Sequence, residues 1–266
     1  MLFSVIFAGL ALLPSQAIQT FGGEQDRESS LLQVSNPSAS VGTNCGSFQG
    51  LTAVGGRSDG YGRWWICEQG LNRASKPTVM SIGIGEDASF DRMMIERFGA
   101  TVYGFDPTPK AKLYVESEQH AAAKPGGSHW TDSFHFEELG VGASDREASF
   151  ALPTNPSYVS GRIVEGEVGD VQVQIRSLPS LLRRAGGKVD ILKMDVEGSE
   201  FETLAYLMNS GDCSALPFGQ LLVEYHNMDK RQREMEQHVQ FFSKCGLARL
   251  KVGPERGTYA FVPVSH

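Results

Sequence analysis

Asp190-Ile-Leu-Lys-Met-Asp-Val-Glu-Gly-Ser-Glu-Phe-Glu-Thr-Leu204 is the stretch whose reading decides the fold. Val189, Ile191, Leu192, Met194 and Val196 predict a buried strand that stops at two acids and a glycine. Ser199 and Glu202 have the spacing of a capping box, so a helix is expected to begin there. Acids at the carboxyl end of a strand in an open α/β sheet stand in the crevice where such sheets bind ligands. Asp195 and Glu197 are therefore the first candidates for chemistry. Residues two apart on a straight strand face one side, so both can serve one site. Alternatively, one caps the helix or meets its positive end while the other is solvated.

Upstream, Thr78-Val-Met-Ser-Ile leads into Gly83-Ile-Gly85-Glu-Asp-Ala and a helical stretch carrying Phe90, Met94 and Phe98 before Gly99. Glycines at 83 and 85 let the backbone turn sharply and approach a ligand, because no Cβ intervenes. Asp106 closes the next apolar run, 23 residues beyond Gly83 (106 − 83). An acid about 20 residues after a glycine turn is where ribose hydroxyls are held. The pattern fits a nicotinamide dinucleotide or S-adenosylmethionine. A dinucleotide sets its pyrophosphate at the first helix N-terminus, where Glu86 and Asp87 stand and would repel it. S-adenosylmethionine brings an ammonium and a sulfonium that acids attract, so the methyl donor is favoured. Asp87 also has the residue type of an N-cap.

These segments resemble the FkbM-type family of S-adenosylmethionine-dependent O-methyltransferases and its methyltransferase-like relatives in animals. The likeness runs from about Lys76 to the C-terminus. It is carried by Ile191-Leu-Lys-Met-Asp-Val-Glu-Gly-Ser-Glu200, Tyr103-Gly-Phe-Asp-Pro-Thr-Pro109, Ser81-Ile-Gly-Ile-Gly-Glu86 and Leu221-Leu-Val-Glu-Tyr-His226. The resemblance implies a Rossmann-like class I methyltransferase sheet, α/β and mostly parallel, with a C-terminal antiparallel hairpin. It places Gly83 and Gly85 at the methionine part, Asp106 at the ribose, Gly142 and Ala143 at the adenine, and Asp195 beside the methyl group. Ser81 stands where an acid often closes the strand, which leaves the donor's amino group to Glu86 or Asp87.

The C-terminal segments give an independent check. Leu221-Leu-Val-Glu-Tyr predicts a strand, and about 230–244 a helix with Met235, Val239 and Phe242 on one face. Two short strands around Gly253-Pro-Glu-Arg-Gly257 then predict a hairpin, with no room in this sequence for a second mononucleotide half. Between Asp106 and Val189 a helix is expected from Lys110 to Ala123, a strand near 133–138, and a hairpin insert from Phe150-Ala-Leu-Pro and Val171-Gln-Val-Gln-Ile175. Residues 154–169 read as a mobile loop, either a lid or an idle insertion.

Residues 76–266 are the expected methyltransferase domain and 45–75 an N-terminal extension packing on it. In the extension, Trp64 and Trp65 either wall a pocket or pack the segment onto the core, packing being preferred. Residues 18–44, rich in Ser, Gln and Glu, read as a disordered linker. Residues 1–17 hold an apolar run and Ser15-Gln-Ala17, a small-residue cleavage pattern. A secretory signal peptide is expected, with a short membrane anchor or an organelle-targeting sequence as the alternative. Cys45, Cys67, Cys213 and Cys245 allow two disulfides, and the local pairings Cys45–Cys67 and Cys213–Cys245 are expected among three possible connectivities. The lack of any CxxC pair argues against a cysteine zinc site.

A net charge of −7, from 31 acids against 24 bases, argues against a nucleic-acid partner. His226 follows the strand carrying Glu224, and adjacent strands would bring it to Asp195 as the base for methyl transfer to oxygen. A divalent metal on Asp195, Glu224 and His226 is the less favoured reading. The expected function is thus O-methylation of a small hydroxylated molecule or a glycan on the secretory route. A nicotinamide-dependent oxidoreductase and a secreted binding protein that kept the fold without the activity remain as alternatives.

Overall fold

The computed structural model describes residue 45 and residues 48–58, 60–71, 75–155, 161–164, 169–252 and 257–264. In chain order, a hairpin of β1 (Thr52–Gly55) and β2 (Arg63–Ile66) precedes β3 (Thr78–Ile82), α1 (Ser89–Phe98), β4 (Thr101–Phe105) and α2 (Pro109–Ala122). Then come β5 (Phe134–Glu137), β6 (Gly140–Gly142), β7 (Arg146–Ala151), β8 (Arg162–Val164), β9 (Val171–Ser177) and α3 (Leu178–Arg184). β10 (Val189–Met194), α4 (Glu200–Asn209), β11 (Phe218–Glu224), α5 (Met228–Lys244), β12 (Leu247–Lys251) and β13 (Thr258–Pro263) complete it.

Seven strands form the main sheet in the order β12-β13-β11-β10-β3-β4-β5. β11, β10, β3, β4 and β5 pair in parallel, and β13 runs antiparallel to both β11 and β12. The central strands are continuous apolar runs because helices or chain segments cover both faces. Met80, Ile82, Leu192, Met194, Leu221 and Val223 pack with residues of α3, α4 and α5 on one side. Val79, Ile191 and Leu222 pack with α1 and the N-terminal hairpin on the other. The chain winds outward from β3 to β5 and then returns to lay β10 and β11 on the opposite side of β3. The β3–β10 junction is therefore the switch point, and such sheets open their crevice there.

Between the two halves lies a second sheet, ordered β6-β9-β7-β8. Its β7–β9 pairing is the expected insert, and β6 adds to β9 in parallel. The segment read as a loop over 154–169 contains β8, which pairs with β7. Hydrogen bonding across the sheet supplied what the weak local pattern did not; residues 156–160 and 165–168 lie outside the described residues.

The described residues form one packed unit. The β1–β2 hairpin was not expected from the sequence; Val54, Trp64 and Ile66 bury it in the same core as Val79 and Phe90. Gln220 of β11 clamps it, accepting from the Cys67 N–H at 2.8 Å and donating to the Cys67 carbonyl at 2.8 Å. Disulfides join Cys45 to Cys67 and Cys213 to Cys245. The expected signal segment, 1–17, and linker, 18–44, lie outside the described residues. Among the described residues no helix is long and apolar enough to cross a membrane.

Candidate functional site

A cavity of about 900 Å³ opens at the carboxyl ends of β3, β10 and β11. Gly83, Gly85, Glu86, Asp87, Asp106, Asp195, Glu197, Glu224 and His226 all line it. Gly142 and Ala143, expected at the adenine, are not among the lining residues; Gly140 and Val141 are. A Cβ on Gly142 would press on Ile175 and Glu202, so this glycine is needed for packing between β9 and α4.

The turn after β3 is held from two sides. Gly83 has φ +84°, and a Cβ there would overlap the Asp195 carbonyl, so only glycine lets the turn close on the end of β10. Asp106 grips the same turn. One oxygen accepts from Ile84 N and Gly85 N, both at 2.9 Å, and the other from Thr108 N at 2.8 Å and Thr108 Oγ1 at 2.5 Å. A carboxylate has about four lone-pair sites. All four are occupied within the chain, so in this structure Asp106, which also lines the cavity, positions the glycine turn.

Glu86 pairs with Lys110 at 2.8 Å. Asp87 stands one residue before the Ala88 N-cap of α1, its Oδ1 accepting from Ser89 N at 2.8 Å. Its Oδ2 is buried with no hydrogen-bond partner among the described residues. The capping box expected at α4 does not form, since Ser199 has helical angles and makes no side-chain cap bond. The α4 start is organised by Glu200 instead, fully buried, which accepts from Gly198 N at 2.8 Å and from His226 N at 2.7 Å. Glu200 thereby ties the loop after β10 to the loop after β11.

That tie brings Asp195, Glu197 and His226 together. β10 ends at Met194, and Glu197 adopts φ +53°, so a left-handed turn rather than the strand pleat aims both acids at the imidazole. His226 Nε2 lies 3.5 Å from Glu197, 3.7 Å from Asp195 and 3.9 Å from Glu224, and Nδ1 lies 3.6 Å from Glu200. Burial alone would lower the histidine's pKa, but the close Glu200 carboxylate and the charges of Glu197 and Asp195 outweigh it and raise it to about 9. Desolvation raises the Asp195 pKa, against the opposing pull of Lys193 and His226. At neutral pH these carboxylates favour the protonated imidazole. One donor atom each from Asp195, Glu197 and His226 lies within 4.8 Å of the others, a spacing a cation could bridge. This trio differs from the less favoured metal set of Asp195, Glu224 and His226 by holding Glu197 in place of Glu224.

The Methyltransferase FkbM domain family matches residues 41–247. The chain belongs to the FkbM methyltransferase family. Among solved structures it resembles a methyltransferase FkbM from Methylobacillus flagellatus KT, at 13% identity and a TM-score of 0.48, over 74% of this chain and 46% of that one. The chain thus spans about half the length of that protein. It also resembles the N-terminal domain of human METTL16 in complex with SAH, at 10% identity and a TM-score of 0.38, over 73% of this chain and 64% of that one. No curated protein matches.

Three parts of this FkbM site escaped the sequence reading. The turn of the β1–β2 hairpin and the start of β2 put Arg57, Tyr61, Gly62, Arg63 and Trp64 on the cavity wall, so Trp64 packs and walls the pocket at once. Gly60 and Gly62 around Tyr61 were the available signal. Glu200 lies within the motif at 191–200 but had no role assigned to it. Lys193 lay in the strand, where a single lysine between apolar neighbours points into the protein.

Proposed function

We propose that this methyltransferase takes its methyl group from S-adenosylmethionine and delivers it to a hydroxyl oxygen of a small molecule or glycan. The observation that carries the reading is the junction of the Gly83 turn with the Asp195 end of β10 on one cavity, with acids on both sides of the join. The residues suit this donor. The volume falls in the range of ligand pockets, about 300–1,000 Å³, and the unpartnered Asp87 Oδ2 offers an acceptor for the donor's ammonium. Gly83 and Gly85 supply close approach, Gly140 and Val141 the adenine wall, and Asp195 and Glu197 negative charge beside the reacting carbon.

When bound, the donor supplies an electrophilic methyl group on a sulfonium. The chain's part is to align the acceptor hydroxyl and to take its proton. Because the surrounding carboxylates favour the charged imidazole, we assign the proton to the Asp195 carboxylate, with His226 and Glu200 fixing its position. A nicotinamide cofactor fits less well, since its pyrophosphate would meet Glu86 and Asp87 at the start of α1. A binding protein without activity is the second reading, favoured by Ser81, a buried serine where the commonest methyltransferase pattern often has an acid. The paired cysteines and the apolar segment at 2–13 support a secretory location. The test is thermal denaturation of the full chain with S-adenosylmethionine, its demethylated product and nicotinamide cofactors. Stabilisation by the first two alone is expected; stabilisation by a nicotinamide cofactor, or by none, would overturn the reading.

A further inference from the structure

We propose that Lys193 is the anchor for the α-carboxylate of the methyl donor; the inference rests on the S-adenosylmethionine reading above. Lys193 is only 4% exposed and lies in the middle of the main sheet, opposite Ser81 of β3. Yet it lines the cavity. Its ammonium donates to the Gly83 carbonyl at 2.5 Å and stands 5.2 Å from the centre of the Trp64 ring. An ammonium carries three donors, and this one makes a single hydrogen bond among the described residues.

Burying a charge is costly unless it is paired and hydrogen-bonded. Asp91 of α1, fully buried, and Asp195 are both nearby counter-charges, but among the described residues neither oxygen of Asp91 makes a hydrogen bond. The lysine therefore reaches toward the glycine turn instead of closing on Asp91. That leaves a cationic donor with spare N–H groups on the wall of a site otherwise dominated by carboxylates.

The other cations on the wall are engaged differently. Arg57 lies in the hairpin turn and Arg63 opens β2, where it donates to the Arg57 carbonyl, and His226 is ringed by four carboxylates. The donor bears two cationic groups and one anionic group. Asp87 and Asp195 face the former, and Lys193 is placed for the latter. Because Lys193 already occupies the Gly83 carbonyl, the donor's ammonium is directed to Asp87 and its carboxylate to Lys193. A charge-assisted contact of this kind corresponds to roughly 10- to 100-fold in affinity.

Calorimetry on the full chain with S-adenosylmethionine and its decarboxylated analogue tests this. The wild type should prefer the carboxylated donor by roughly 10- to 100-fold. Lys193→Met should bind both alike, at about the wild-type affinity for the decarboxylated analogue. A purely structural lysine would weaken both ligands together and leave their ratio intact, which would overturn the assignment. Should Lys193→Met not fold because Asp91 is left buried and unpaired, Lys193→Met with Asp91→Asn removes both charges and carries the same comparison. Equal binding by the wild type would refute the anchor and spare the donor reading. Binding of neither ligand would refute both.

Discussion

His226 should titrate far above an ordinary histidine, and its substitution should change stability in a pH-dependent way. The side chain is 19% exposed and faces Asp195, Glu197, Glu200 and Glu224, which hold its pKa at about 9 against an unfolded value of 6.5. At about 1.4 kcal/mol per pKa unit, that displacement corresponds to about 3 kcal/mol of linkage. The sign follows from the direction: a raised folded pKa stabilises fully below about 6.5, and the stabilisation is lost as pH rises through about 9. Urea denaturation of the wild type and His226→Gln should therefore show a stability gap larger at pH 6 than at pH 10 by about 3 kcal/mol. Nuclear magnetic resonance of the imidazole protons gives the pKa directly. His238, buried against Tyr225 and lowered to about 4 by desolvation, serves as the opposite reference in the same spectrum. A His226 pKa near 6.5, or a stability gap that does not move with pH, would refute the electrostatic reasoning. Turnover that climbs with pH up to about 9 would return the proton-accepting role from Asp195 to His226.

Asp106→Asn should cost about 2–4 kcal/mol of stability by disrupting buried bonds to the glycine turn and Thr108, read by urea denaturation. A variant with full stability and lost donor affinity would reinstate the ribose role. Gly83→Ala should lose donor affinity and stability together, since the left-handed conformation alone costs about 1–2 kcal/mol and the new methyl overlaps the Asp195 carbonyl; normal melting and normal binding would disprove the close approach. Reduction should lower the melting temperature, because cross-links spanning 22 and 32 residues contribute about 3–4 kcal/mol each in the chain-entropy picture. An unchanged melt in reductant would show that the bonds do not stabilise the fold.

The sequence by itself determined the sheet and the strand ends that carry the site. Apolar runs closing on Gly83, Asp106 and Asp195 are local patterns, and local pattern is enough to fix where a buried strand stops. The antiparallel C-terminal hairpin was legible for the same reason, from two short runs around a Gly-Pro turn. What those side chains do was decided by tertiary structure, because hydrogen-bond capacity and electrostatic environment depend on groups distant along the chain. Asp106 looked available until Ile84, Gly85 and Thr108 filled its lone pairs. His226 looked like a neutral base until loops after two different strands set four carboxylates around it. Glu200, Lys193 and the β1–β2 hairpin gave weak local signals, since their partners lie 26, 110 and 153 residues away, and only folding brings those partners within reach.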